Sequence, residues 1–128
     1  MLIVTPIYAA LLTLLFLGLS ARVIIYRRAN RLSLGDEGDR SLRKRMRAQA
    51  NCAEYVPIGV LLLLLLELSG APVWGLHLMG AFFTAGRLLH GYGFSASPPV
   101  LRLRVFGMML TLIPLALGAV ALLIMAVL

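Results

Sequence analysis

Four stretches of this 128-residue chain run for about twenty positions or more with almost no charge, and this restricts the fold more than any other feature. Residues 1–26 carry no charge before Arg22, and 48–69 carry only Glu54 and Glu67. Residues 72–94 hold only Arg87 with His77 and His90, and 105–128 hold no charge at all. A helix needs about 20 apolar residues to cross ~30 Å of hydrocarbon. Water is absent there, so a spanning segment must satisfy its own backbone, which leaves helix as the conformation for runs of this length. The expectation is an all-α, integral membrane four-helix bundle in one domain over 1–128, with spans near 2–26, 48–69, 72–94 and 103–127. Composition agrees: 61% hydrophobic residues, 13% charged and a mean hydropathy of +0.96 exclude an ordinary soluble domain.

The first run contains a small-x-small triplet, Gly18-Leu19-Ser20, of the kind a leader peptidase cuts. No Lys or Arg precedes the run, and it is too long for the apolar region of a leader, so a retained helix is expected. The connections are short and rich in turn residues: NRLSLGDEGDR (30–40), LSGAP (68–72) and SASPP (95–99). Nine of the twelve basic residues lie in or beside the first connection: Arg22, Arg27, Arg28, Arg31, Arg40, Arg43, Lys44, Arg45 and Arg47. Arg87, Arg102 and Arg104 flank the third. The positive-inside rule then puts the first and third connections in the cytoplasm and both termini outside. The net charge of +7 reads as a topology signal and as contact with anionic lipid headgroups, not as a nucleic-acid surface, which would need a folded basic face. A single cysteine, Cys52, excludes an internal disulfide or a Cys-only metal site and is expected to pack as a small apolar group.

One segment departs from this plain pattern. RAQANCAEYVP (47–57) places an arginine, a glutamine, an asparagine, a glutamate and a tyrosine just before a run of six leucines. At about 100° per residue, Arg47, Asn51 and Glu54 share one helix stripe, with Tyr55 beside it and Gln49 pointing elsewhere. Arg87, His90 and Phe94 repeat the pattern at i, i+3 and i+7 near the same membrane face, where Arg104 opens the fourth run. Taken singly, snorkelling arginines, an interfacial tyrosine and an intramembrane histidine are ordinary structural features. Glu54 is less easily explained, because an ionisable group inside a span usually faces a partner or a cavity; Arg47 is a candidate partner. Glu67, beside the 68–72 turn, is expected to reach water.

RAQANCAEYVP resembles the second-helix signature of the MAPEG family, membrane-associated proteins of eicosanoid and glutathione metabolism, and is most similar to its leukotriene-forming glutathione conjugases. The similarity covers nearly the whole chain. Arg27-Arg28-Ala29-x-Arg31 resembles the basic end of that family's first helix, GRLLHGYGF (86–94) the end of its third, and Arg104-x-x-Gly107 the start of its fourth. The resemblance implies a homotrimer binding glutathione between neighbouring subunits near the cytoplasmic face. By position, Arg47 and Gln49 resemble carboxylate binders, Asn51, Glu54 and Tyr55 line the peptide, and Arg27 of a neighbouring subunit is a second carboxylate clamp. Arg87 and His90 belong to the same pocket, and Arg104 matches the catalytic arginine that faces the thiol. The Leu101-Arg102-Leu103 triplet supports a shifted alignment; Arg104 is preferred because Gly107 and Pro114 then fall in register. His90 and Phe94 stand where several relatives carry tyrosines, so a phenolic hydroxyl is lost at one position and replaced at the other.

The ligand's chemistry suits these residues. Glutathione's two carboxylates call for guanidinium forks, its ammonium for a carboxylate and its thiol for a cation. The rise from Arg47 to Glu54, about 10 Å, is similar to the span of an extended tripeptide. The expected function is a membrane glutathione transferase, with possible peroxidase chemistry, acting on hydrophobic electrophiles or lipid hydroperoxides through an Arg104-stabilised thiolate and requiring no metal. Two other classes compete with it. A non-catalytic, lipid-binding scaffold of the same family would lack the thiol-facing arginine. A small four-helix multidrug transporter would want a glutamate deep in the first helix, which here has no acid.

Overall fold

The computed structural model describes residues 1–128 as four helices: α1 (Val4–Asn30), α2 (Arg40–Leu68), α3 (Val73–Ser95) and α4 (Leu101–Val127). This is the all-α membrane bundle expected. Its outer surface inverts the pattern of a soluble protein: Leu14, Ile25 and Leu117 are each about two-thirds exposed, as side chains facing lipid would be. The chain is thus an integral membrane protein.

Helices α1, α2 and α4 are each long and apolar enough to cross a membrane, but α3 is not among them. The cause is its content of Gly75, Gly80, Gly86, Gly91 and Gly93 together with His77, Arg87 and His90. Several of these, Gly80, Gly86, Arg87, His90, Gly91 and Gly93, are buried. Helices α2 and α3 each pack on all three others, α3 most extensively against α4, whereas α1 and α4 do not touch. An inner helix meets protein on most of its faces, so it can carry small and polar residues that lipid would penalise.

The helix ends follow from local chemistry. Asp39 caps α2 by accepting from the Leu42 N–H at 2.9 Å, so α2 begins about two turns before the apolar run and carries its basic residues on a projecting segment. Helix α1 has no acid in its first turn. The Glu67 carboxylate supplies one from across the bundle, accepting from the N–H groups of Ile3, Val4 and Thr5 at 2.6, 2.8 and 2.7 Å. Glu67, expected from its place beside the turn to reach water, is not buried and also satisfies orphan donors at a helix N-terminus, where a negative charge is favoured.

Two small packed clusters lie at opposite ends of the bundle. Val4, Leu63, Leu66 and Leu76 form one, and Leu19, Ala48 and Cys52 form the other, with Phe94 packed against it. Cys52 is therefore the small apolar filler expected. Between α3 and α4 the fit is closest at glycines: a Cβ on Gly107 would lie 2.5 Å from the His90 nitrogen and 2.7 Å from the Gly86 carbonyl. One turn nearer the basic end, a Cβ on Gly93 would meet the Arg104 nitrogen at 2.8 Å. Only glycine permits this approach, and it fixes where the first turns of α4 sit.

Candidate functional site

The polar residues of α2, α3 and α4 meet at the end that carries the basic connections. Arg87 is at their centre, only 2% exposed. Its Nη1 donates to the Asn51 Oδ1 at 2.6 Å and to the Asn51 carbonyl at 3.4 Å. Its Nε donates to the Thr111 Oγ1 at 2.9 Å, and Nη2 points at the Met108 sulfur at 3.2 Å. The Tyr55 ring covers the guanidinium, with its centroid 5.1 Å away. One side chain thus ties three helices together.

This arrangement also sets the orientation of Asn51. With its side-chain oxygen turned to Arg87, the Asn51 amide presents its NH2 away from that contact, as a donor for a ligand oxygen. Thr111, which is fully buried, donates to the Gly107 carbonyl at 2.8 Å and so keeps lone-pair capacity for Arg87. Neither Thr111 nor Met108 was singled out from the sequence. Both lie on the stripe that contains Arg104 and Gly107, so a wheel drawn through α4 as well as α2 would have found them.

A second group stands beside the first. The Arg104 guanidinium lies over the Phe94 ring, 4.0 Å from its centroid. Arg104 is half-buried and its Nε is enclosed without a hydrogen-bond partner. The Phe94 ring in turn packs against His90, centroid to centroid 5.7 Å. His90 is buried and within reach of the charges on both Arg87 and Arg104. Arg102, by contrast, is exposed. Gly107, Thr111, Pro114 and Gly118 are the buried residues of α4, and Arg104 lies on their face at i−3 from Gly107.

The remaining residues of the expected site are less closely gathered. Gln49 turns towards α1, where its Nε2 donates to the Ser20 Oγ at 2.9 Å. The Arg27 Nη2 lies 3.3 Å from the Met46 sulfur, and its Nη1 is enclosed without a partner. Arg47 and Glu54 are both exposed on the outer face of α2 and form no ion pair with each other. They sit about two turns apart along the axis. The chain therefore aligns Asn51, Tyr55 and Arg87, sets Arg104 and His90 next to them, and leaves Arg47 and Glu54 facing outward.

Outside the bilayer, the first connection is ordered by its own acids. The chain's ion pair joins Arg43 to Asp36. The Arg43 hydrogen bond and the Gly38 N–H hold the Asp36 carboxyl below its ordinary range. The Leu42 N–H and the Tyr26 hydroxyl do the same for Asp39. The Tyr26 face also carries the Arg45 guanidinium at 4.3 Å. Lys44 bridges from α2 to the α3–α4 connection, donating to the Ala96 carbonyl and the Ser97 Oγ, both at 3.2 Å.

Comparison with known proteins agrees with this architecture. Residues 5–124 match the MAPEG family. The chain is 40% identical over 91 residues to the inner membrane protein YecN of Escherichia coli K12, an alignment covering 71% of this chain and 70% of that one. The YecN of E. coli O6:H1 strain CFT073 matches over the same extent. With a family match running almost from end to end of a four-helix membrane bundle, the chain belongs to the MAPEG family.

Proposed function

We propose that this protein is a glutathione transferase of the inner membrane that works as a homotrimer, with its site towards the cytoplasm. One observation carries the reading: two guanidinium groups, Arg87 and Arg104, are drawn into the bundle at its basic end with no carboxylate partner. Such a place favours an anion. A free thiol has a pKa of about 8.5, and lowering it by about two units, for roughly 2.7 kcal/mol, makes the thiolate the main form at neutral pH. A partly desolvated arginine supplies stabilisation of that size. Arg104, whose Nη groups make no hydrogen bond within the subunit, takes the role of facing sulfur. Arg87 acts through Asn51, whose amide it orients.

The reaction is the transfer of the glutathione sulfur to a hydrophobic electrophile. The thiol proton leaves to solvent, the sulfur lone pair forms the new bond to carbon, and the leaving group departs with its electron pair. Apolar substrates reach such a site from the bilayer. The trimer is supported by the outward position of Arg47 and Glu54: charged groups against lipid are costly, and a neighbouring subunit with bound peptide would cover them. In that arrangement Arg47, Gln49 and the neighbour's Arg27 take the carboxylates, Glu54 takes the ammonium, and Tyr55 and His90 line the site. The enclosed and unpartnered Arg27 Nη1 fits a role in anion binding.

A lipid-binding scaffold is the second reading. It is favoured by an apolar cavity of about 580 Å³ between α3 and α4 at the opposite end, bordered by Trp74, Leu78, Phe82, Ile113, Leu117 and Met125. The two readings part in one experiment: glutathione binding by the detergent-solubilised protein, followed by turnover of a generic aromatic electrophile. Saturable binding with conjugation supports the transferase. No binding at millimolar glutathione supports the scaffold.

A further inference from the structure

Arg104 raises a problem that its charge alone does not solve. To favour a thiolate, a guanidinium must be held in place without being neutralised, and the usual way of holding an arginine is a carboxylate. The chain has five acids, and none serves here. Asp36, Glu37 and Asp39 lie in the first connection, with Asp36 paired to Arg43 and Asp39 occupied by the α2 cap and Tyr26. Glu67 caps α1 at the far end, and Glu54 lies on the outer face of α2. The group that Arg104 does meet is the face of Phe94, at 4.0 Å.

We propose that Phe94 is the positioning residue for Arg104: its ring face holds the guanidinium by a cation–π contact while leaving the full positive charge available to a bound thiolate. The inference rests on the transferase reading above and adds a residue to it. Three features of the packing support it. The ring packs against the cluster of Leu19, Ala48 and Cys52 and against His90, contacts that restrict where it can move. The backbone of Arg104 is set against α3 by Gly93, so the side chain starts from a fixed point. The enclosed Nε lacks a hydrogen-bonding partner, so no hydrogen bond there duplicates the work of the ring. A quadrupole attracts a cation without adding countercharge, and the attraction is strongest where water is excluded. An aspartate or glutamate at the same place would hold Arg104 more firmly and cancel its field.

The test compares Phe94→Leu with Phe94→Tyr in the intact detergent-solubilised protein, reading glutathione affinity by calorimetry and thiolate absorbance at neutral pH by stopped flow. Leucine keeps apolar bulk but has no π-face; tyrosine keeps the face. Phe94→Leu is expected to bind glutathione within about fourfold of wild type, the part that linkage to the thiolate requires, while its thiolate signal falls by about five- to tenfold, and Phe94→Tyr to keep both within about twofold. Equal thiolate signal in Phe94→Leu and wild type overturns the inference. So does a Phe94→Tyr as defective as Phe94→Leu, or a Phe94→Leu whose affinity falls as far as its thiolate signal, which is the mark of a merely disturbed site. A wild-type protein that binds glutathione without forming thiolate removes the transferase reading itself, and this inference with it.

Discussion

Replacing Gly107 by alanine tests the link between the α3–α4 crossing and the site. The added Cβ would lie 2.5 Å from the His90 nitrogen, 2.7 Å from the Gly86 carbonyl oxygen and 2.9 Å from the His90 Cα. All three are backbone atoms, so no side chain can swing aside. Restoring ordinary contact requires the helices to separate by about 1 Å, and overpacking of this kind costs about 1 to 3 kcal/mol. For a chain of this size that corresponds to a loss of roughly 4 to 12 °C in unfolding temperature. Arg104 lies one turn from Gly107 and moves with it, and a misplacement of about 1 Å at a reacting centre costs up to about a hundredfold in turnover. The matched control is Gly18→Ala on α1, where a Cβ meets nothing within 4 Å; it should be neutral or stabilise the helix by up to about 1 kcal/mol. Thermal unfolding by circular dichroism in detergent, with turnover measured on the same samples, reads both effects. A Gly107→Ala protein as stable and active as Gly18→Ala would refute the close crossing and its role in placing Arg104.

Three other perturbations reach other parts of the account. Glu67→Gln removes the negative charge and one acceptor from three backbone N–H groups, so it should destabilise by about 1 to 2 kcal/mol and speed amide exchange at residues 3–5; unchanged exchange there would show that the cap carries no weight. Arg47→Ala and Glu54→Ala should each weaken glutathione by about 2 to 4 kcal/mol in calorimetry without unfolding the protein or dissociating the proposed trimer, and unchanged affinity in a folded protein would return both residues to a structural role. The lowered pKa values of Asp36 and Asp39 mean that their contribution to ordering the first connection is present above the ordinary carboxylate range and lost as pH falls through the lowered values. Hydrogen exchange over residues 36–42 should therefore show less protection, relative to the intrinsic rate, at about pH 2.5 than at about pH 6; equal protection would count against the acid-held loop.

The bundle was legible because lipid reduces the choices: long uncharged runs can only be helices, and their number follows from length. The inner position of α3 was legible only in part. Its single arginine and two histidines suggested polar contacts, but its shortfall in apolarity makes sense only once the other three helices are seen around it. The stripe of Arg47, Asn51 and Glu54 was read from periodicity, yet the structure separates its members: Asn51 is engaged by Arg87, while Arg47 and Glu54 face outward. Periodicity says which residues share a face, and not what that face meets. The capping role of Glu67 is hidden for the same reason. Its place beside a turn suggested solvent, and its actual partners are amides more than sixty residues away. Thr111 carries no charge that would mark it in the sequence, although it fixes Arg87; Phe94 is placed on the Arg87–His90 face by its spacing, but nothing in that spacing shows that it lies under Arg104.

Stopped-flow measurement of thiolate formation in Arg104→Ala and Arg102→Ala, at matched pH, bears most directly on the proposed chemistry. An arginine that acts on the charge developing at sulfur matters more to thiolate formation and turnover than to the binding of neutral-thiol glutathione. Arg104→Ala should bind glutathione within a few-fold of wild type but lose the thiolate absorbance and most of its turnover. Arg102→Ala, altered at an exposed position, should keep both. Loss of the thiolate in Arg102→Ala with Arg104→Ala intact would reverse the assignment of the two arginines, and a thiolate untouched in both would contradict arginine-assisted activation altogether.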